Sequence, residues 1–370
     1  MEVLSVTTKN RIVQEDMVAI YERLTQKEKD KFKDATILLT GCGGFLGYYF
    51  IHFFAHYAEE LQIKRVIGLE NFLTGTKEWL QELVEGNPDL VSLHEFDVIN
   101  DSVDTIPGAE DADLIIHLAS IASPTYYRIY PIETVDANIT GLRRLLDYYS
   151  TKQIKGFLFF SSSEIYGDPF PEFIPTKEEY RGNVATIGPR ACYDEAKRFG
   201  ETLCYLFNQK FGMPIGIARP FNNYGPGMSI YDKRLPADFA HAVVNGQDLQ
   251  ILSDGTPTRT FCYISDAING YLKVLLHGQF DVFNIGMDKP EISVKEFSKI
   301  FNEAGKEIFD YQGKISFAVA ADKEYLTDNP NRRCPDISKA RTVLGYEPVV
   351  NVESGIRRYL QFLHLNKINA

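Results

Sequence analysis

One stretch constrains this chain more than any other: Ala35-Thr-Ile-Leu-Leu-Thr-Gly-Cys-Gly-Gly-Phe-Leu-Gly47, an apolar segment that runs into spaced glycines and then a helical stretch. Ile37–Leu39 has the composition of a buried strand. Gly41 permits a tight turn, Gly44 lets the backbone approach a pyrophosphate, and Gly47 allows close packing of helix on strand. The helix N-terminus then attracts the anion. A second apolar run, Arg65-Val-Ile-Gly-Leu-Glu70, ends in an acid 23 residues after Gly47. Its carboxylate suits both hydroxyls of an adenosine ribose and repels a 2′-phosphate, so the expected cofactor is NAD rather than NADP.

From Thr36 onward, short apolar runs alternate with helical stretches: Ile37–Leu39, Val66–Leu69, Leu90–Asp97, Leu114–Leu118, Phe157–Phe160 and Ile215–Arg219. This is the pattern of an α/β fold, a doubly wound parallel sheet (Rossmann) with helices on both faces. Residues 36–215 read as the NAD-binding domain carrying the catalytic motifs. Residues 216–370 open with an irregular stretch from Pro220 to Pro236 and are richer in Pro, Asp and Arg. They read as a smaller, interleaved C-terminal substrate lobe with some segments returning to the sheet, and with helices over Val294–Ala304 and Ile337–Leu344. Residues 1–35 form an N-terminal helical extension in which Ile12, Val13, Met17, Ile20, Tyr21 and Leu24 recur at helical spacing. That apolar face packs either on its own domain or against another subunit.

A net charge of −11 argues against non-specific nucleic-acid binding and against a polybasic membrane contact. An anionic ligand must therefore be met by a local cluster of arginines. The five cysteines, Cys42, Cys192, Cys204, Cys262 and Cys334, show no metal-ligand spacing and read as free thiols in a reducing cytoplasm, with no metal expected. The acidic, polar start does not resemble a signal peptide, and no apolar run approaches the roughly 18 residues that span a membrane.

The chemistry is carried by Gly188-Pro-Arg-Ala-Cys-Tyr-Asp-Glu-Ala-Lys197. Tyr193 and Lys197 stand four apart, so on a helix both leave one face. A nearby ammonium favours the phenolate, and Lys197 is expected to lower the pKa of Tyr193 towards a working range. Such a base removes a hydroxyl proton while a hydride leaves the same carbon. Upstream, Phe157-Leu-Phe-Phe-Ser-Ser-Ser-Glu-Ile-Tyr-Gly-Asp-Pro169 ends an apolar strand in Ser161, Ser162, Ser163 and Glu164, at the carboxyl end where α/β sheets place their chemistry.

With these motifs together, the chain resembles an extended short-chain dehydrogenase/reductase of the sugar-nucleotide epimerase/dehydratase family, and within it the UDP-glucuronate decarboxylases (UDP-xylose synthases). The similarity runs from about Thr36 to Leu363 and includes His117–Pro124, Ser161–Pro169, Gly188–Arg198, Arg219–Met228, Thr258–Asp266 and Arg332–Ala340. The resemblance implies a tightly held, recycled NAD, a nucleotide-sugar substrate and a homodimer. Its cofactor residues would be Gly41, Gly44, Phe45, Leu46, Gly47, Glu70, Asn71, Thr74, Gly75, Asp97, Val98, Leu118, Ser120, Asn138, Tyr193, Lys197, Asn223 and Arg234. Substrate would be held by Ser123, Tyr127, Asp136, Asn222, Arg259 and Arg333. Catalysis would fall to Ser162, Tyr193 and Lys197 for oxidation at C4, and to Ser163, Glu164 and Arg333 for the step that follows. The helix bearing Asn138, Leu142, Leu145, Leu146 and Tyr149 packs between subunits in such proteins, and its apolar stripe reads equally as simple core packing.

One departure matters. The decarboxylases carry lysines where this chain has Glu133 and Asp136. Like charges about 4 Å apart repel by roughly 4 kcal/mol even at an effective dielectric of about 20. If Asp136 faces the sugar, a carboxylated substrate is disfavoured. The leading expectation is decarboxylation of UDP-glucuronate to UDP-xylose or a UDP-4-keto-pentose. A hexose 4,6-dehydratase or a 4-epimerase acting on a neutral sugar is the alternative. A catalytically retired, NAD-occupied binding protein is a remote one, disfavoured by the intact Ser162, Tyr193 and Lys197.

Overall fold

The structure, a computed structural model, describes residues 10–319, 324 and 327–369, so the first nine residues of the N-terminal extension lie outside it. Six strands coincide with the apolar runs of the sequence: β1 (Thr36–Thr40), β2 (Arg65–Glu70), β3 (Val91–Glu95), β4 (Leu114–His117), β5 (Gly156–Phe160) and β6 (Ile215–Pro220). Four short strands follow: β7 (Asn223–Tyr224), β8 (Leu249–Ile251), β9 (Thr258–Arg259) and β10 (Cys262–Tyr263). The chain then returns to the sheet as β11 (Asp281–Ile285). The seven-stranded parallel sheet has the order β11-β6-β5-β4-β1-β2-β3. Every residue of β1 and β5 is buried, as expected for strands covered by helices on both faces.

The chain runs outward from β1 through β2 to β3, then crosses back to β4 on the other side of β1. That reversal opens a crevice above the carboxyl ends of β1 and β4, where Thr40 lies opposite His117. The Thr40 hydroxyl and His117 Nδ1 are 2.8 Å apart, and burial lowers the His117 pKa to about 3. His117 is a neutral strand-end residue.

The N-terminal segment packs on its own chain. Helix Arg11–Glu22 is capped by Asn10, whose side chain accepts from the Ile12 amide at 3.0 Å. Ile12, Val13, Met17, Ile20 and Leu24 are buried in a core that extends to Phe362. Asp16, on the same face, accepts from the Tyr49 and Tyr263 hydroxyls, each at 2.7 Å, and from Arg358 Nη2 at 2.8 Å. Burial pushes its carboxyl up, and Arg358 and the two phenols offset part of the rise. The three sequence segments thus share one interior.

Leu142, Leu145, Leu146 and Tyr149 fill the core on the opposite face of the sheet, and the Tyr149 hydroxyl donates to the Ala109 carbonyl at 2.9 Å. Of the two readings of this stripe, core packing within the chain is the one these residues follow.

The remaining strands, β12 (Ile292–Ser293), β13 (Ile315–Phe317) and β14 (Arg332–Arg333), build the small lobe through the sheets β12-β9-β14 and β13-β8. Pairing of β14 with β9 sets Arg333 opposite Arg259.

Candidate active site

A cavity of about 690 Å³ opens above β1, β4 and β5, floored by the glycine turn and roofed by the small lobe. Gly41 has φ +71°, and a Cβ there would stand 2.7 Å from the Ala119 amide. A Cβ on Gly47 would lie 2.3 Å from the Cys42 carbonyl oxygen, so this glycine makes room for the turn itself rather than for helix-on-strand packing. Gly44 is different. It caps helix Phe45–His56, and its Cβ would meet nothing of the protein closer than 3.4 Å. Its bareness leaves space on the cavity side at a helix N-terminus, which suits a pyrophosphate.

Glu70, at the end of β2, is buried and folds its own surroundings. Oε2 accepts from the Gly43 amide at 2.8 Å, and Oε1 accepts from the amides of Asn71 and Phe72 at 3.0 Å each. Burial raises its pKa, and the three amides offset part of the rise. A carboxylate has about four acceptor positions, so capacity remains for a ribose hydroxyl. Asp97 accepts from the Ile99 amide at 3.0 Å and from the Asn100 side chain at 2.7 Å.

At the other end, helix Ala191–Phe211 presents Tyr193 and Lys197 to the cavity. Tyr193 stacks on Tyr127, with ring centres 5.2 Å apart and planes 12° from parallel. It also shares a hydrogen bond with Ser162. Burial drives the Tyr193 phenol up to about 12. The Ser162 bond and Arg234 draw it down, while Glu164 and Asp194 add to the rise. The Lys197 ammonium lies 5.6 Å from the centre of the Tyr193 ring. It donates to the Phe160 carbonyl at 2.7 Å, and burial brings its pKa down to about 7.

Glu164 follows β5 in the short helix Ser163–Tyr166, and both its oxygens are engaged. Oε2 pairs with Arg190 and Oε1 with Arg333 Nη1 at 2.5 Å. Arg333 also donates to Ser163 Oγ at 3.0 Å and to the Gly167 carbonyl at 3.2 Å. Burial alone would raise Glu164, but Arg190, Arg333 and Arg259 overcome it and hold the carboxyl at about 2. Arg259 donates to the Thr258, Asn331 and Pro330 carbonyls and to Asn329 Oδ1, and to no carboxylate among the described residues. Burial, then its neighbour Arg333, brings its pKa down to about 10, so it remains a cation facing the cavity. Arg234 is held by Asp232 at 2.5 and 2.8 Å, with its guanidinium 5.8 Å from the Phe45 ring centre.

The cavity wall includes every residue singled out in the sequence as a candidate except two. Asn138 is fully buried in a π-helical turn, donating to the Thr134 carbonyl at 2.7 Å, behind the wall. Asp136 also lies off the wall, whereas Glu133, one helical turn earlier, is on it. Ser123 is at the wall, but its hydroxyl donates to the Asp232 carbonyl at 2.6 Å. Asn222 donates to the Thr260 carbonyl at 2.9 Å and Asn223 to the Tyr271 hydroxyl. The sequence reading assigned no role to Arg190. Its signal was a cation at the start of a long helix, where the macrodipole disfavours one unless an acid answers it.

Among the described residues there is no cluster that could hold a metal ion, all five cysteines are free, and no helix is long and apolar enough to cross a membrane.

Comparison with known proteins agrees with this geometry. UDP-glucuronic acid decarboxylase 1 of Xenopus tropicalis is 36% identical over 338 residues, covering 90% of this chain and 73% of that one. UDP-glucuronic acid decarboxylase 6 of Arabidopsis thaliana is 36% identical over 323 residues, 86% of each chain. The UDP-glucose 4-epimerase of Thermotoga maritima superposes with a TM-score of 0.75 at 24% identity, covering 90% of this chain and 99% of that one. The dTDP-glucose 4,6-dehydratase of Streptomyces venezuelae gives 0.76 at 21% identity, covering 90% and 98%. Residues 37–286 match the family described as NAD dependent epimerase/dehydratase. With a glycine turn, an acid closing β2 and a tyrosine–lysine helix in one cavity, this chain belongs to the NAD-dependent epimerase/dehydratase family.

Proposed function

We propose that this protein is an NAD-dependent UDP-glucuronate decarboxylase that begins by oxidising the sugar at C4. The observation that carries the reading is the carboxylate of Glu164, held between Arg190 and Arg333 within the cavity that Tyr193 and Ser162 also line. Such a cluster offers electrostatic support for a developing enolate, and the relatives named above act on UDP-glucuronic acid by name.

The turn at Gly41, Gly44 and Gly47 and the remaining acceptor capacity of Glu70 fit a dinucleotide without a 2′-phosphate. NAD held there would supply the hydride acceptor for oxidation at C4 and the hydride donor for the final reduction. Tyr193 takes the C4 hydroxyl proton, and Ser162 hydrogen-bonds the same oxygen. Lys197 orients the ribose beside it. Arg259 meets the substrate diphosphate, since a guanidinium binds phosphate oxygens in a bidentate way. Once C4 is a ketone, the C6 carboxylate belongs to a β-keto acid and leaves as carbon dioxide. Arg333 and Ser163 then face the charge that develops.

A second reading is favoured by Glu133, an acid on the cavity wall: a neutral hexose as substrate, with 4,6-dehydration or 4-epimerisation as the reaction. Incubating the purified protein with UDP-glucuronate, UDP-glucose and dTDP-glucose, and weighing the products, separates these. Release of carbon dioxide from UDP-glucuronate supports decarboxylation, and loss of water or an epimer from a neutral sugar overturns it. The five free thiols fit a reducing cytoplasm. Phe199, Tyr205 and Leu206, exposed on helix Ala191–Phe211, offer an apolar face for a homodimer.

A further inference from the structure

Arg190 stands at the N-cap of the 21-residue helix that carries Tyr193, and it is almost fully buried. Its Nη2 pairs with Glu164, and its Nε lies 3.6 Å from Asp194. Arg333 takes the other oxygen of Glu164 from the opposite lobe. Glu164 is therefore held from both ends by guanidinium groups. Those groups come from the start of a helix and from a strand that are separate in the fold.

Given the C4 oxidation argued above, on which this inference rests, the 4-keto intermediate has two labile bonds at C5. If a base takes the C5 proton, the electron pair moves towards C4, and a proton returned to C5 from either face exchanges or inverts that carbon with C6 retained. If the C5–C6 bond breaks instead, its electron pair forms an enolate that lacks C6 and keeps the C5 hydrogen, carbon dioxide departs, and a solvent proton later completes C5. The first route needs a carboxylate free to accept a proton. The second needs none.

We propose that Arg190 is a specificity-determining positioning residue: by holding the second oxygen of Glu164 it denies that carboxylate to the C5 proton and commits the intermediate to loss of its carboxyl group. Proton abstraction works best with a base whose pKa lies near the operating pH. Glu164, kept at about 2, is far below it. The groups that face Glu164 are the cations Arg190, Arg333 and Arg259, the phenols Tyr127 and Tyr193, and Asp194, whose carboxyl is driven up by burial and by Glu164 itself.

The test runs the reaction on UDP-glucuronate in deuterium oxide and weighs the pentose product. Wild type should place a single deuterium at C5. Arg190→Gln should yield a C5 that is substantially doubly deuterated, because the original C5 proton exchanges through a freed Glu164 before carbon dioxide leaves. Arg190→Lys, which keeps the charge but not the fork, should fall between, and adding Glu164→Gln to Arg190→Gln should abolish the second deuterium. A single deuterium in Arg190→Gln, or a second one that survives Glu164→Gln, overturns the proposal. Absence of any carbon dioxide in wild type would count against the decarboxylase reading instead. For that case a carboxyl-carbon NMR titration of the resting protein, assigned with Glu164→Gln, decides the point alone. Glu164 should not titrate above about pH 4 in wild type and should shift upward by at least about one unit in Arg190→Gln or Arg190→Lys. An ordinary titration in wild type, or no shift in either variant, refutes it.

Discussion

Lys197 donates its ammonium to the Phe160 carbonyl at 2.7 Å, from a position so buried that its pKa falls to about 7. Dinucleotide phosphates and a ribose hydroxyl favour the charged form, so binding raises this pKa. Adding NAD to nucleotide-free protein at about pH 8 should therefore take up a proton. Calorimetry in buffers of different ionisation enthalpy measures it, and zero uptake would mean that Lys197 is already charged. In the nucleotide-free protein the same group sheds its proton before the unfolded chain does. Its contribution makes stability rise with pH between about 7 and about 10.

Tyr193→Phe should lower turnover by about 10²–10⁴, the usual cost of losing a general base. The ring remains to stack on Tyr127, so NAD content after purification should stay near that of wild type. Turnover within a factor of two of wild type would place the base elsewhere.

Glu70→Ala removes the acceptor of three backbone amides and, on the proposed reading, a ribose partner. NAD affinity should fall, and the preference over NADP should shrink or reverse as the repulsion of a 2′-phosphate disappears. Titration with both dinucleotides reads the two effects. An unchanged preference would show that discrimination lies outside Glu70.

The acidic departure can now be tested at the right residue. Glu133 borders the cavity and Asp136 does not. Glu133→Lys should strengthen UDP-glucuronate binding relative to UDP-glucose by a few-fold, since an exposed charge is worth about 0.2–1 kcal/mol. Asp136→Lys should leave the ratio unaltered. A larger effect at 136 than at 133 would reverse the assignment.

Asp16→Ala strips the acceptor from the Tyr49 and Tyr263 hydroxyls and an ion-pair partner from Arg358. Removing one side of a buried pair costs roughly 3–5 kcal/mol. Urea unfolding should show a loss of that order, while a loss near zero would make the N-terminal helix an ornament.

The sheet was legible because parallel strands buried on both faces must be continuous apolar runs, and β1, β2, β4, β5 and β6 are. Helices bearing Leu145 or Ile12 were legible too, but an apolar stripe looks the same whether it meets its own core or another subunit. The structure resolved both in favour of the core. In the site, a residue fixed by a backbone demand, such as Gly41, could be read from type and spacing, whereas what Gly47 makes room for could not. Asp136 and Glu133 could not be told apart, because residues three apart share a helix face and only their position along its axis decides which one borders the cavity. Nor could the charge state of Lys197 be read, since desolvation depends on everything packed around it.

The register of β14 on β9 has a further consequence. The stretch matching the family, residues 37–286, contains the glycine turn, Ser162, Tyr193 and Lys197, but stops well short of Arg333. The candidate residues for moving a hydride thus lie inside the stretch matched to the broad family, while one jaw of the clamp on Glu164 is contributed by a two-residue strand beyond it, in a part of the chain that the more similar relatives also cover. In this chain, the first step and its sequel are written in different segments. A graft that exchanged only the segment around Arg333 could redirect the fate of the 4-keto sugar while leaving the oxidation that creates it in place.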